Sequence, residues 1–216
     1  MCSSDLDLCY GTLRWGHRLD LIVEGLQQKP LRHAPLRHLL WVALYQLEYT
    51  RAAQHAVVDH AVRCAAAVGQ PHAGGLINAG LRNFLRNRAA LLARASRTDV
   101  GRHAYPRWWI ERVRGEHPAH WGAMLDAGNH HPPFTLRVNV RRATRDGYLA
   151  ELAAAGIEAH AVGAHGVTLA RALPVNRVPG FREGRVSVQD AGAQLAGVLA
   201  DAHAGMRVLD ACAAPG

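Results

Sequence analysis

Between Leu36 and Leu47, apolar side chains recur at spacings of three and four: Leu36, Leu39, Leu40, Ala43, Leu44 and Leu47. That period aligns them along one side of an α-helix, whereas a strand would expose and bury alternate residues. The run "QHAVVDHAVRCAAAV" continues the period with Val57, Ala61, Cys64 and Val68. After the punctuation of "GQPHAGG", the run "LINAGLRNFLRNRAALLARA" carries Leu76, Ile77, Leu81, Phe84, Leu85 and Leu91. Residues 8–95 therefore predict an all-helical domain with continuous apolar stripes.

Beyond that point the pattern changes. "SRTDVGRHAYP", Ser96 to Pro106, reads as a linker, and "RWWIERVRGEHPAHWGAMLDAGN" as two short helices broken near Pro118. "FTLRVNV" alternates and is β-rich, so it predicts a strand, and "RDGYLAELAAAG" a helix stopped by Gly156. "IEAHAV", "GVTLAR" and "GRVSVQD" are further strand candidates, "AGAQLAGVLADA" is an amphipathic helix, and "MRVLDA" is a last strand. The fold class is thus multidomain. An all-α domain (1–98) precedes a small α+β domain with its linker helices (99–180), and 181–216 read as the first strand–helix–strand of an α/β domain.

The 49% hydrophobic content fits globular domains, and no apolar run reaches the roughly 18 residues that span a bilayer. "MCSSDLDLCYG" lacks the basic start and apolar core of a signal peptide. Cys2, Cys9, Cys64 and Cys212 are scattered without metal-type spacing, which predicts a reduced, cytoplasmic protein.

The formal charge is +8, with the excess towards the N-terminus, and Lys29 is the only lysine. Arginine forks pair with phosphate and stack on bases, so RNA is a candidate partner; an arginine-rich codon composition is the alternative. Arg82, Arg86, Arg88 and Arg94 share the third helix's polar side with no interleaved acids. A solvated face usually mixes signs, so Arg82, Arg86 and Arg88 are the candidate RNA contacts. Trp108 and Trp109 could stack bases, although a tryptophan pair at a helix start more often packs between domains.

"VLDACAAPG" runs from an apolar strand end into a turn of small residues, Cys212, Ala213, Ala214, Pro215 and Gly216. Such a turn lets backbone N–H groups face a carboxylate or ribose; it is equally the form of an ordinary strand-to-helix connection. Cys212 has no local His or Lys to lower its pKa, so a packing role suits it better than a nucleophile's. His117, His120, His130 and His131 lack the Cys or acidic pattern of a zinc site and read as surface or linker residues.

Several of these motifs, taken in order, resemble the Sun/Fmu-type bacterial ribosomal RNA cytosine-5 methyltransferases, from about Leu8 to Gly216. "LCYGTLR", "ALYQLEYTR" and "GLINAGLRNFLR" are similar to that family's N-terminal domain, which is itself like the RNA-binding antitermination factor NusB. "YPRWWIERV" and "PPFTLRVN" resemble the entry to its RRM-like middle domain. "VPGFREGRVSVQDAGAQ" resembles the approach to its Rossmann-like class I methyltransferase domain, with Gly192 where the family commonly has Ser. "LDACAAPG" resembles the start of the S-adenosylmethionine loop.

The resemblance implies methyl transfer from S-adenosylmethionine to C5 of a cytosine in small-subunit ribosomal RNA. The partner is that RNA, and the protein acts as a monomer without metal. It places Cys212, Ala213, Ala214, Pro215 and Gly216 at the methionine end of the cofactor. The family's two key cysteines come from Pro-Cys and Thr-Cys motifs that would lie past Gly216, so no residue here takes a catalytic role. The chain then reads as an inactive fragment of that enzyme. A non-catalytic NusB-like RNA-binding module is the alternative, and it leaves the middle strands and "LDACAAPG" without an account.

Overall fold

The computed structural model describes residues 3–27 and 29–211. They form two compact units that divide between His130 and His131. The first is helical. Helices α1 (Ser3–Arg14), α2 (Gly16–Leu26), α3 (Ala34–Tyr49), α4 (Gln54–Arg63) and α5 (Gly74–Ala95) surround one apolar core. Helix α3 starts where the His33 imidazole accepts from the Leu36 amide at 3.3 Å, with Pro35 in its first turn. Its stripe buries Leu36, Leu40, Ala43, Leu44 and Leu47, and Leu39 packs at the margin. Helix α5 answers with Ile77, Leu81 and Phe84, all fully buried. Burying each such side chain is worth about 1.5–3 kcal/mol.

The segment Ser96–Pro106 is not a linker. Its centre is helix α6 (Asp99–His103), capped by the Thr98 hydroxyl, which accepts from the Gly101 amide at 3.2 Å. Gly101 lies against the end of α5, and the backbone turns out of α6 through Ala104 at φ 59. Polar composition suggested exposure, but glycine is there for close approach and His103 is buried. Helices α7 (Arg107–Glu116) and α8 (Trp121–Asn129) follow, broken at Pro118 as the sequence predicts. Ile110, Val113 and Leu125 form their small core.

The second unit is a four-stranded antiparallel sheet. Strands β1 (Phe134–Val138), β2 (Ala159–Val162), β3 (Gly166–Leu169) and β4 (Val186–Val188) lie in the order β2-β3-β1-β4. Helix α9 (Arg145–Ala154) follows β1 and buries Tyr148 and Leu152 against Leu136, Val138 and Val167. Burial pushes the Tyr148 phenol up to about 12, and its hydroxyl donates to the Pro179 carbonyl at 2.8 Å. Helix α10 (Ala191–Leu199) starts at Asp190, whose carboxylate accepts from the Gly192 and Ala193 amides.

Two readings of the C-terminal segment change. β4 pairs antiparallel with β1, Arg137 opposite Ser187, so "GRVSVQD" completes this sheet instead of opening a parallel one. Residues 206–210 form no strand. Val208 and Leu209 are 66% and 88% exposed. Apolar character alone does not make a strand; it needs a hydrogen-bonded neighbour, and no described strand pairs with these residues.

Candidate nucleic-acid interface

Arg82 and Arg86 stand four residues apart on α5, both exposed and on the same side of the helix. The Arg82 guanidinium is steadied by Asn78, whose side-chain oxygen accepts from Nε at 2.9 Å. Arg82 also lines an open groove of about 650 Å³ between α4 and α5, together with His55, Asp59 and Asn78. Arg88 is differently placed. Asn87 breaks the helical geometry (φ −116, ψ 22), and beyond it the Arg88 Nε donates to Glu48 of α3 at 2.7 Å. That bond holds the Arg88 guanidinium above its ordinary pKa and neutralises its charge locally.

The absence of acids within α5 therefore does not describe the folded surface. Glu48 comes from forty residues away in sequence, a separation that no local charge pattern can signal. The structure brings Arg82 and Arg86 together and turns Arg88 towards a carboxylate.

Trp108 and Trp109 are exposed, 65% and 40%, with ring centroids 5.6 Å apart in an edge-on arrangement. They line an apolar groove with Tyr105, Val113 and Met124. His117, His120, His130 and His131 are exposed. Among the described residues, no three His, Cys, Asp or Glu side chains are grouped so as to hold a metal. Sequence reasoning passed over His103, buried and hydrogen-bonded through Nδ1 to Asp126 at 2.7 Å, with its ring edge-on to Trp121. Its position in an apparent linker hid it. The cofactor-loop candidates Cys212, Ala213, Ala214, Pro215 and Gly216 lie outside the described residues.

The sheet of the second unit carries another polar set, of which Arg137, His160 and Ser187 are exposed while Thr135 and Thr168 are buried. On the sheet face away from α9 stand Thr135, Arg137, His160, Thr168 and Ser187, with the Thr135 and Thr168 hydroxyls 3.0 Å apart. The exposed ring of this face is the His160 imidazole on edge strand β2, and no Phe, Tyr or Trp stands there, so the face lacks the paired aromatic platform with which RRM sheets hold bases.

This architecture, a helical unit and then an antiparallel sheet backed by a helix, corresponds to two protein families in succession. Residues 6–86 match the NusB family, and residues 105–176 match the Methyltr_RsmF/B-like, ferredoxin-like domain. The chain is a relative of proteins named ribosomal RNA small subunit methyltransferase B. Over 214 residues, 97% of this chain, it is 48% identical to that of Pseudomonas putida, covering 49% of the relative. Identity is 42% with the Serratia proteamaculans protein and 39% with that of Escherichia coli O1:K1, over the same share of this chain and 50% of each relative. The chain thus spans about half the length of the curated relatives it matches. The crystal structure of PH0851 aligns with 90% of this chain and 45% of its own at a TM-score of 0.63 and 18% identity, a likeness of fold. No helix among the described residues is long and apolar enough to cross a membrane.

Proposed function

We propose that this chain is the RNA-holding part of an S-adenosylmethionine-dependent methyltransferase that modifies C5 of a cytosine in small-subunit ribosomal RNA. One observation carries the reading. A NusB-family domain and an RsmF/B-like ferredoxin-like domain follow one another in a chain collinear, over 97% of its length, with proteins named for that RNA. A free-standing NusB-like module would leave residues 105–176 without a purpose.

On this reading Arg82 and Arg86 take phosphates, with Arg88 a weaker contributor because Glu48 already holds it. The start of the Rossmann-like domain falls within 181–216, and Cys212, Ala213, Ala214, Pro215 and Gly216 hold the methionine end of the cofactor. That cofactor supplies an electrophilic methyl group when bound. The described approach to the loop, residues 206–210, is exposed and forms no cradle for it, so the assignment rests on the motif. The setting is cytoplasmic and the acting form a monomer.

Two measurements test the proposal. Replacing Arg82, Arg86 and Arg88 with Ala should weaken binding of unmodified small-subunit ribosomal RNA and flatten its salt dependence, by about 0.7–0.9 in log–log slope for each phosphate that is no longer neutralised. Most of the flattening should come from Arg82 and Arg86, and an unchanged slope would remove α5 from the interface. A protein of the relatives' full length, given labelled methyl donor, should label cytosine C5 in that RNA; no incorporation would overturn the assignment.

A further inference from the structure

In the second unit an open groove of about 400 Å³ lies where the end of β1 meets the starts of β3 and β4. Its charged and titratable lining is Arg137, Arg141 and His165, and no carboxylate lines it. Arg137 is central on the sheet, between Gly166 of β3 and Ser187 of β4. On the β4 side Ser187 is small and exposed, while on the other side Gln194 and Gly197 of α10 come close, so the Arg137 side chain is exposed towards the groove. Its side-chain partner is neutral, the Gln189 side-chain oxygen at 3.4 Å, so its charge is uncompensated by contact.

The turn that carries Arg141 is fastened on both sides. The Asn139 amide donates to the Arg185 carbonyl at 2.8 Å, and the Asn139 side chain donates to the Gly184 carbonyl at 3.0 Å. The Asn139 side-chain oxygen in turn accepts from the Arg141 amide at 3.1 Å, and its carbonyl from the Arg142 and Ala143 amides. The surrounding arginines are occupied. Arg185 forms two 2.7 Å hydrogen bonds to Glu151, Arg145 pairs with Asp146, and Arg142 donates to the Glu183 carbonyl. The Glu183 carboxylate acts on Arg185 and does not line the groove. Arg137 and Arg141 are thus two exposed cations on a fixed frame, without carboxylates.

Taken with the RNA-modifying role proposed above, on which it rests, we infer that this groove binds the phosphate backbone of single-stranded RNA. Arg137 and Arg141 would each take a phosphate, with His165 at the margin. An exposed groove with two separate cations suits a polyanion running through it better than a small anion enclosed by it. Arginine pairs with phosphate through two parallel N–H···O bonds. The sheet face beside it carries no Phe, Tyr or Trp, and its one ring, His160, lies on β2 beyond β3, so the contact at Arg137 and Arg141 is to backbone and is indifferent to sequence.

The test uses the 216-residue chain and a fluorescein-labelled oligouridylate, titrated across a salt series. The variant R137Q/R141Q should flatten the log–log salt slope by about 1.4, from about 0.7 for each single-strand phosphate neutralised. R137K/R141K should keep the slope, since charge is what counterion release reads. S187E places a carboxylate opposite Arg137 without removing an arginine and should reproduce the loss, which separates charge from any folding defect of R137Q/R141Q. A wild-type slope in both R137Q/R141Q and S187E would overturn the inference. If R82A/R86A/R88A flattens the slope and the groove variants do not, the groove alone is wrong and the wider reading stands. If the wild-type chain does not bind RNA, both fall. Displacement of the probe by polyglutamate as effectively as by unlabelled oligouridylate would show a site for acidic peptide instead, and would overturn the assignment to RNA.

Discussion

Gly101→Ala isolates the packing of α6 from every other feature of the helical unit. A Cβ built on Gly101 would stand 2.0 Å from the Ala95 carbonyl oxygen and 2.8 Å from Leu21 Cδ1, where real Cβ contacts essentially never fall under 3.0 Å. The oxygen must therefore retreat by about 1 Å, and it belongs to the last turn of α5, which is tied into the core through Leu91 and Ala95. Overpacking of this kind costs about 1–3 kcal/mol, and more where backbone has to move. Alanine's better helix propensity returns about 1 kcal/mol at most. The net is a loss of about 1–2 kcal/mol, opposite in sign to what Gly→Ala does in an unobstructed helix. Trp15, Trp41, Trp108, Trp109 and Trp121 all lie in the helical unit, so tryptophan fluorescence reports that unit alone. In urea the midpoint should fall by about 0.5–1 M with the slope unchanged. An equal or raised midpoint would refute the close approach of α6 to α5.

Two further outcomes follow from the same structure. Arg185 donates to both oxygens of Glu151, which lowers the Glu151 pKa below its ordinary value. Stability from that pair is present above the unfolded carboxylate's pKa, about 4.3, and is lost as pH falls through the lower folded value. Wild type should exceed E151Q in thermal midpoint at neutral pH and converge with it in acid, and a difference independent of pH would refute the pair's contribution. Trypsin should cut after Arg207, exposed and outside any helix or strand, before it cuts after Arg102 in the packed α6; peptide mass mapping over time decides the order, and a first cut after Arg102 would contradict the fold given for residues 96–106.

Where neighbours in sequence make the structure, sequence sufficed. The stripes of α3 and α5 are set by a period of 3.6, the turn at Pro118 by a missing amide, and β1, β2 and β3 by short β-rich runs; these elements stand where their residues predict them, although Leu76, counted in the α5 stripe, is exposed in the helix's first turn. The succession of motifs likewise pointed to the two domain families that match the chain. Tertiary structure decided what depends on distant partners. Glu48 neutralises Arg88 from another helix, Gly101 is buried because α5 ends against it, and β4 joins β1 across the loop that follows β3. The groove at Arg137 and Arg141 forms only where the end of β1 meets His165, just before β3, and Gly184, Val186 and Ser187 at the start of β4, residues far apart in sequence. Helix period is a local property of the chain, whereas ion pairing, close backbone approach and strand registry are fixed only when segments far apart in sequence meet.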